Sequence, residues 1–172
     1  MEEFSNDVLD ISQITKFEAV AFTRLEPNYW KVKLIYFALT FCVLATGIFL
    51  AMFYIEDFPP YKYEIAIAFV VIFFIILGLQ RIGFNKKAFA FRNHDVLYKY
   101  GIIATNTIII PYNRVQHVAS HEDIISRYFG LVQLEIFTAG ESSSDIKIPG
   151  IKREQAESIK QLLIAKIQTQ LQ

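Results

Sequence analysis

The chain is 172 residues long, 53% of them hydrophobic, with 17 Lys and Arg against 17 Asp and Glu. A net charge of zero excludes a global field that would gather nucleic acid or an acidic ligand, and a single cysteine, Cys42, excludes an intrachain disulfide framework. The hydrophobic excess is concentrated between Val32 and Phe84, leaving about 85 residues after it, enough for one small domain with its own core.

Residues 1–30 read as a mixed, mostly polar cytoplasmic segment. A secretory signal is not expected here: about 30 residues precede the first apolar run, which is itself too long for a signal core. Lys16 to Thr23 alternates loosely and fits a short strand or a short helix, and Arg24 to Trp30 reads as an interfacial entry to the first apolar run.

Two apolar runs come next. Leu34 to Ile55 carries no charged residue, and its roughly 22 positions at about 1.5 Å each make about 33 Å of helix, enough to cross a hydrocarbon core of about 30 Å. Ile65 to Gln80 is shorter, but Arg81 can snorkel and Ile82 to Phe84 extend it. The pair predicts a transmembrane helical hairpin over 31–84, with spans at about 33–55 and 63–83. Two buried helices of a soluble core are the alternative, disfavoured because so small a domain cannot wrap two helices apolar on every face. Cys42 reads as a packing residue within the first span.

Lys31 and Lys33, with Arg24 behind them, precede the first span. Arg81, Lys86, Lys87 and Arg92 follow the second, whereas the connection carries Glu56, Asp57 and Glu64 against Lys62. The asymmetry places both termini in the cytoplasm and the short loop outside. Tyr29, Trp30 and Tyr36 fall near the inner interface, Tyr54, Phe58, Tyr61 and Tyr63 near the outer one, and Pro59 and Pro60 mark the turn. The apolar runs Leu34–Ile55 and Ile65–Gln80 inside the spans contain no Asp, Glu, Lys or His, which disfavours a transporter. Gly47 and Ala51, a small-xxx-small pair, predict a helix contact, within the hairpin in preference to between chains.

From residue 85 the pattern turns to short β segments: Lys87–Arg92, Val96–Tyr100 ending at Gly101, Thr107–Ile110 stopped by Pro111, and Arg114–Ser120 with Val115, His117 and Ala119 on one face. Asp123–Phe129 has helical spacing and a terminating Gly130. Leu131–Thr138 alternates most clearly and pairs with Asp145–Ile148 across a polar loop. Pro149 and Gly150 are expected to end the β region. Lys152–Leu171 is an amphipathic helix with a stripe of Ala156, Ile159, Leu163 and Ile167, widened by Leu162 and Ile164. The fold class expected is an α+β membrane protein, a two-helix transmembrane hairpin followed by a small β-barrel or sandwich over 85–172 with a C-terminal helix over one end.

RNHDVLYKYG at Arg92–Gly101, PYNRVQHV at Pro111–Val118, ISRYFGLVQLEIFTAG at Ile125–Gly140 and SSSDIKIPG at Ser142–Gly150 succeed one another after the hairpin. Their order resembles the bacterial PH-like membrane protein family often called YdbS-like. The resemblance covers roughly Tyr29 to Leu163. It implies a pleckstrin-homology-like β-barrel on the cytoplasmic face and no known catalytic activity. Many members carry several PH-like copies; this chain has one.

Few residues offer chemistry. His117 and His121 stand four apart beside Glu122 and Asp123, but on a strand running into a turn and without an HExxH pattern, so no metal site is expected. Arg81, Lys86, Lys87 and Arg92 are candidate contacts for anionic lipid where the chain leaves the bilayer, and the same charges serve as the topology signal. Arg114, Gln116, Arg127, Gly130 and Gly140 lie in the family-like words as partner-binding or structural positions. Arg114 and Arg127 either grip a phosphate or carboxylate or tie the local structure together, Arg127 through Glu122 or Asp123. Ser142, Ser143 and Ser144 read as a solvated loop in preference to an anion cradle.

No catalytic residue and no cofactor is expected. The predicted role is a membrane-anchored binding or scaffold module in a bacterial inner membrane, holding a protein partner or a second copy of itself near anionic lipid, with no nucleic acid. The alternative is an accessory subunit of a transport, export or envelope-stress resistance system.

Overall fold

The computed structural model describes residues 20–54, 61–139 and 145–170; the expected turn at Pro59–Pro60, Gly140 and the Ser142–Ser144 loop lie outside them. Helix α1 spans Asn28–Tyr54 and helix α2 spans Lys62–Lys86. Both are long and apolar enough to cross a membrane. They pack antiparallel: early rings of α1 meet late rings of α2. The Phe37 and Phe73 centroids are 4.9 Å apart, Phe41 lies 4.9 Å from Phe73 edge to face, and Trp30 sits 5.7 Å from Phe84. The expected small-residue contact is not used at Gly47, where an added Cβ would meet nothing within 4 Å. Aromatic rings set the spacing instead. Thr40 and Thr46 donate their hydroxyls to the carbonyls of Tyr36 and Cys42, so α1 carries neither hydroxyl unpaired.

A single residue, Lys87, separates α2 from strand β2 (Ala88–Phe91). β3 (Asp95–Tyr100) and β4 (Asn106–Pro111) continue the meander, and a short strand β1 (Thr23–Arg24) adds to its other edge, giving an antiparallel sheet in the order β1-β2-β3-β4. A 3-10 turn at Tyr112–Arg114 leads to β5 (Val115–His121), helix α3 (Ile124–Tyr128), β6 (Leu131–Thr138) and β7 (Ile146–Lys152), the strands forming a second antiparallel sheet, β5-β6-β7. Helix α4 (Arg153–Gln170) packs across this sheet and the 3-10 turn. The two sheets enclose one apolar core containing Val96, Tyr98 and Ile110 from the first and Leu134, Ile136 and Ile148 from the second, closed by Ala156, Ile159 and Leu163 of α4.

Three sequence expectations are corrected. Pro149 and Gly150 do not end the β region; β7 runs on to Lys152. Val132 pairs with Ile151 and Leu134 with Ile148, so Gln133 faces two residues and a bulge absorbs the Pro-Gly pair. Gly150 supplies the left-handed φ of 67° there, and β7 is an edge strand, where a proline without an N–H is tolerated. Likewise Val115 does not share a face with His117 and Ala119. Val115 pairs with Thr138 and His117 with Phe137, which leaves Gln116 as an extra residue and reverses the alternation after it. Val115 is buried; His117 and Ala119 are exposed. Finally, Leu162 and Ile164 of α4 stand 43% and 44% exposed, so the buried stripe is narrower than the pattern implied.

The segment before α1 is bound into the domain. Leu25 enters the core, the Glu26 N–H donates to the Gly150 carbonyl at 3.0 Å, and the Glu26 carboxylate lies 3.6 Å from the Lys152 ammonium. Helices and β-domain are thus joined at both α1 and α2.

Candidate functional site

The last turns of α2 and the chain leading into α1 meet beside the first sheet. Their junction forms a cleft of about 410 Å³ lined by Arg24, Leu25, Glu26, Pro27, Arg81, Phe84 and Asn85. A second hollow of about 450 Å³ shares Arg24 and Asn85 with it and adds Lys86, Lys99 and Thr105 among its walls. Together they make one groove with four cations, Arg24, Arg81, Lys86 and Lys99.

Each cation has a structural reason for its position. β1 pairs Arg24 with Ala88, at the start of β2. The Arg81 guanidinium lies 4.9 Å from the Trp30 ring and 5.6 Å from Phe84, a cation–π seat that keeps it on the groove side of α2. Lys86 donates to the Ile102 carbonyl at 2.6 Å, and Lys99 lies 5.8 Å from the Phe22 ring. Among the described residues none of the four forms an ion pair. The acid in the groove wall, Glu26, is already engaged by Lys152. Four cations facing one compensated carboxylate favour an anion in the groove.

The structure divides the charges that the sequence grouped. Arg81 and Lys86 line the groove. Lys87 is half-buried; burial pulls its ammonium below its ordinary value, and its charge repels that of Lys33 on α1. Arg92 leaves the cluster altogether. β2 carries it to the far end of the sheet, where it forms a bidentate pair with Asp95 (Nε to Oδ1 2.6 Å) and its carbonyl accepts the Tyr112 hydroxyl at 2.6 Å. Arg24 and Lys99 line the groove in its place, and no local pattern in the sequence joins them to α2.

Several residues of the family-like words make contacts within the β-domain. Arg114 is exposed, and its carbonyl accepts the Ala139 N–H at 2.8 Å. Gln116 is the bulge residue of β5. Arg127 lies 3.6 Å from Glu122, whose same oxygen receives Arg153 at 2.7 Å. Gly130 has φ 66° at the end of α3, and its carbonyl accepts the Arg153 N–H. Gly140 lies outside the described residues. His117 stacks on Phe137 at 4.2 Å, and among the described residues no three His, Cys, Asp or Glu side chains come together as a metal site.

Asp123, a secondary consideration in the sequence, proves to be a junction. It caps α3 by accepting from the Ser126 N–H and hydroxyl at 2.8 and 2.7 Å, and it accepts the hydroxyl of Tyr36 on α1 at 2.7 Å. Burial pushes its carboxyl upward, but the Ser126 and Tyr36 hydrogen bonds together outweigh burial and hold it below the usual value. A third hollow, about 460 Å³, opens between the sheets and is lined by Tyr98, Tyr100, Ile108, Phe137, Asp145, Ile146 and Lys147. Burial raises the Tyr98 phenol strongly.

The family model of the bacterial PH domain matches residues 35–167, which takes in most of α1, all of α2, strands β2 to β7 and most of α4, and leaves out β1. The chain belongs to the bacterial PH domain family. Searches of curated proteins and of solved structures returned no match. In this bacterial PH domain protein the two sheets and α4 are the PH-like body, and the matched region includes the helical hairpin. A PH-like domain is typically a non-catalytic binding fold that mediates protein or lipid contacts. Among the described residues the buried side chains with polar atoms include Ser126, Thr138, Tyr98 and Tyr112; the Thr138 hydroxyl has no hydrogen-bond partner, although Asp145 accepts the Thr138 backbone N–H.

Proposed function

We propose that α1 and α2 cross a bacterial inner membrane as a hairpin with both termini cytoplasmic, and that the PH-like body is a scaffold at its inner face. The hairpin's outer surface supports this: Val43, Phe53, Phe49 and Phe74 are 73%, 74%, 66% and 64% exposed, an apolar area that water does not tolerate and lipid does. Lys31, Lys33, Arg81, Lys86 and Lys87 lie at the helix ends that adjoin the β-domain, against Lys62 alone at the other end, the bias of the positive-inside rule.

The observation that carries the binding role is the groove of Arg24, Arg81, Lys86 and Lys99 at the end of α2. On this reading it lies at headgroup level and takes an anionic phospholipid, each cation adding about 1 kcal/mol. The lipid fixes the scaffold against the leaflet, and the aromatic hollow at Tyr98, Tyr100 and Phe137 faces a protein partner or a second copy.

Lipid retention tests the role. The full-length protein is purified in mild detergent from mixed zwitterionic and anionic membranes, and its co-purifying lipid is quantified. Wild type retains anionic lipid in excess over its share of the membrane. Combined Arg24→Gln, Arg81→Gln, Lys86→Gln and Lys99→Gln lose that excess, whereas Arg92→Gln keeps it. Equal retention by the fourfold variant would falsify the groove.

A further inference from the structure

Two parts of the β-domain expose large apolar side chains next to the hairpin. The first is the loop between β3 and β4. Gly101 opens it with φ 133°, and a Cβ there would fall 1.9 Å from the Ala104 carbonyl oxygen, so the loop is a tight, glycine-dependent turn. Ile102 packs on α2: its side chain stands 3.1 Å from where a Gly83 Cβ would be, and its carbonyl is held by Lys86. Ile103, the next residue, is 95% exposed. The second is α3, whose Ile124 and Tyr128 are 87% and 86% exposed. They are four apart and so share a helix face. The cap of α3, Asp123, is bonded to Tyr36 of α1.

Both contacts fix depth. Gly83 and Tyr36 lie within the apolar spans near their cytoplasmic ends, and a helical side chain leans back toward its own N-terminus, so the Tyr36 hydroxyl reaches out toward the headgroups. One prong is held against each helix at that level.

We infer that Ile103, with Ile102 behind it, and the Ile124/Tyr128 face of α3 dip into the cytoplasmic leaflet as two membrane-inserted prongs, so that the PH-like body docks on the bilayer at three places: hairpin, loop and α3. The inference rests on the reading that α1 and α2 cross the membrane. Its occupant is the lipid leaflet, because the helices that position both prongs are the ones that enter it. Insertion is shallow, about 5–10 Å, the depth of an interfacial apolar face. Tyr128 suits that depth, with an apolar ring and a polar tip. The consequence is a fixed orientation: the body cannot swing on the hairpin, and its partner-facing hollow is held at one height above the leaflet.

Fluorescence depth measurement on the full-length protein in liposomes tests this. The chain has one tryptophan, Trp30. In a Trp30→Phe background, single tryptophans are placed by Ile103→Trp, Ile124→Trp and, in the exposed turn between β2 and β3, Asn93→Trp. At positions 103 and 124 the expected result is blue-shifted emission, strong quenching by lipids brominated high on the acyl chain, and protection from aqueous iodide. At position 93 iodide quenches and brominated lipid does not. Iodide quenching at 103 or 124 equal to that at 93 overturns the proposal, as does a blue shift without lipid quenching, which would mean a protein covers the site. Trp30 of the wild-type chain separates the two readings. Quenching of Trp30 by brominated lipid with none at 103 and 124 removes the prongs alone; no quenching at Trp30 either removes the membrane hairpin itself.

Discussion

Replacing Gly150 by Ala perturbs the joint between β-domain and hairpin at one atom. Two costs add. At φ 67° a non-glycine residue sits in the left-handed region, worth about 1–2 kcal/mol. The new Cβ would also lie 2.5 Å from Cγ, 2.6 Å from Cβ and 2.8 Å from Cδ1 of Tyr29. These atoms are the root of the side chain, so ring rotation cannot clear them and the first turn of α1 must shift, an overpacking cost of about 1–3 kcal/mol. The sum is about 2–5 kcal/mol. Gly130 supplies the control, because its φ is 66° and an added Cβ meets nothing within 4 Å. Gly130→Ala therefore carries the backbone cost alone, about 1–2 kcal/mol. The assay is thermal unfolding of the full-length protein in mild detergent, followed by circular dichroism. For a domain of this size each kcal/mol lowers Tm by about 4–8 °C. Gly150→Ala is expected to melt at least about 4 °C below Gly130→Ala. Adding Tyr29→Ala should remove the difference, a coupling of about 1–3 kcal/mol. Equal melting of the two glycine variants, or no coupling to Tyr29, would refute the packing of α1 against β7.

Tyr36→Phe removes one solvent-exposed hydrogen bond to the Asp123 carboxylate. Because the folded Asp123 value lies below its unfolded value of about 3.9, its stabilisation is complete above that pH and is lost as the pH falls through the folded value. Carboxyl NMR should show Asp123 titrating higher in Tyr36→Phe; an unchanged titration would dispose of the α1–α3 tether. Tyr112 is raised to about 12 by burial first and by the Asp95 charge second. The sign is opposite: stability is full below the unfolded value of about 10 and falls as the pH rises toward 12. Tyr112→Phe should make the alkaline fall of Tm with pH shallower, leaving the part due to the buried Tyr98 phenol, at the cost of the bond to the Arg92 carbonyl.

What the sequence disclosed depended on how local each cause was. The two long helices were legible from composition alone, because a run of apolar residues needs no partner to declare itself. Strand β6 was legible through its alternation, with Leu134 and Ile136 fully buried and Gln133 and Glu135 half-exposed between them. In α4 the Ala156, Ile159 and Leu163 stripe is buried, as its helical spacing requires. β1 was not legible, since two residues carry no period and Thr23 and Arg24 are held only by β2. β7 was cut short because Pro149-Gly150 has a turn's local chemistry, and only the opposite strand shows that a bulge takes it up. The groove failed in part for the same reason. Arg92 looks close to Lys87 in sequence, but a strand rises about 3.3 Å per residue and carries it away. Lys99 comes back on β3, paired with Ala88, and Arg24 reaches Ala88 from the other side. Register, not spacing, assembles the site.

On the function proposed above, α1 and α2 span the membrane and the PH-like body lies inside the cell. Labelling of one engineered cysteine tests it most directly: Asn93→Cys, in a Cys42→Ala background, probed with a membrane-impermeant maleimide. Position 93 should stay unlabelled in intact cells, become labelled in inverted vesicles, and remain with the membrane fraction through an alkaline wash. Labelling in intact cells, or recovery of the unwashed protein in the aqueous fraction without detergent, would contradict the account.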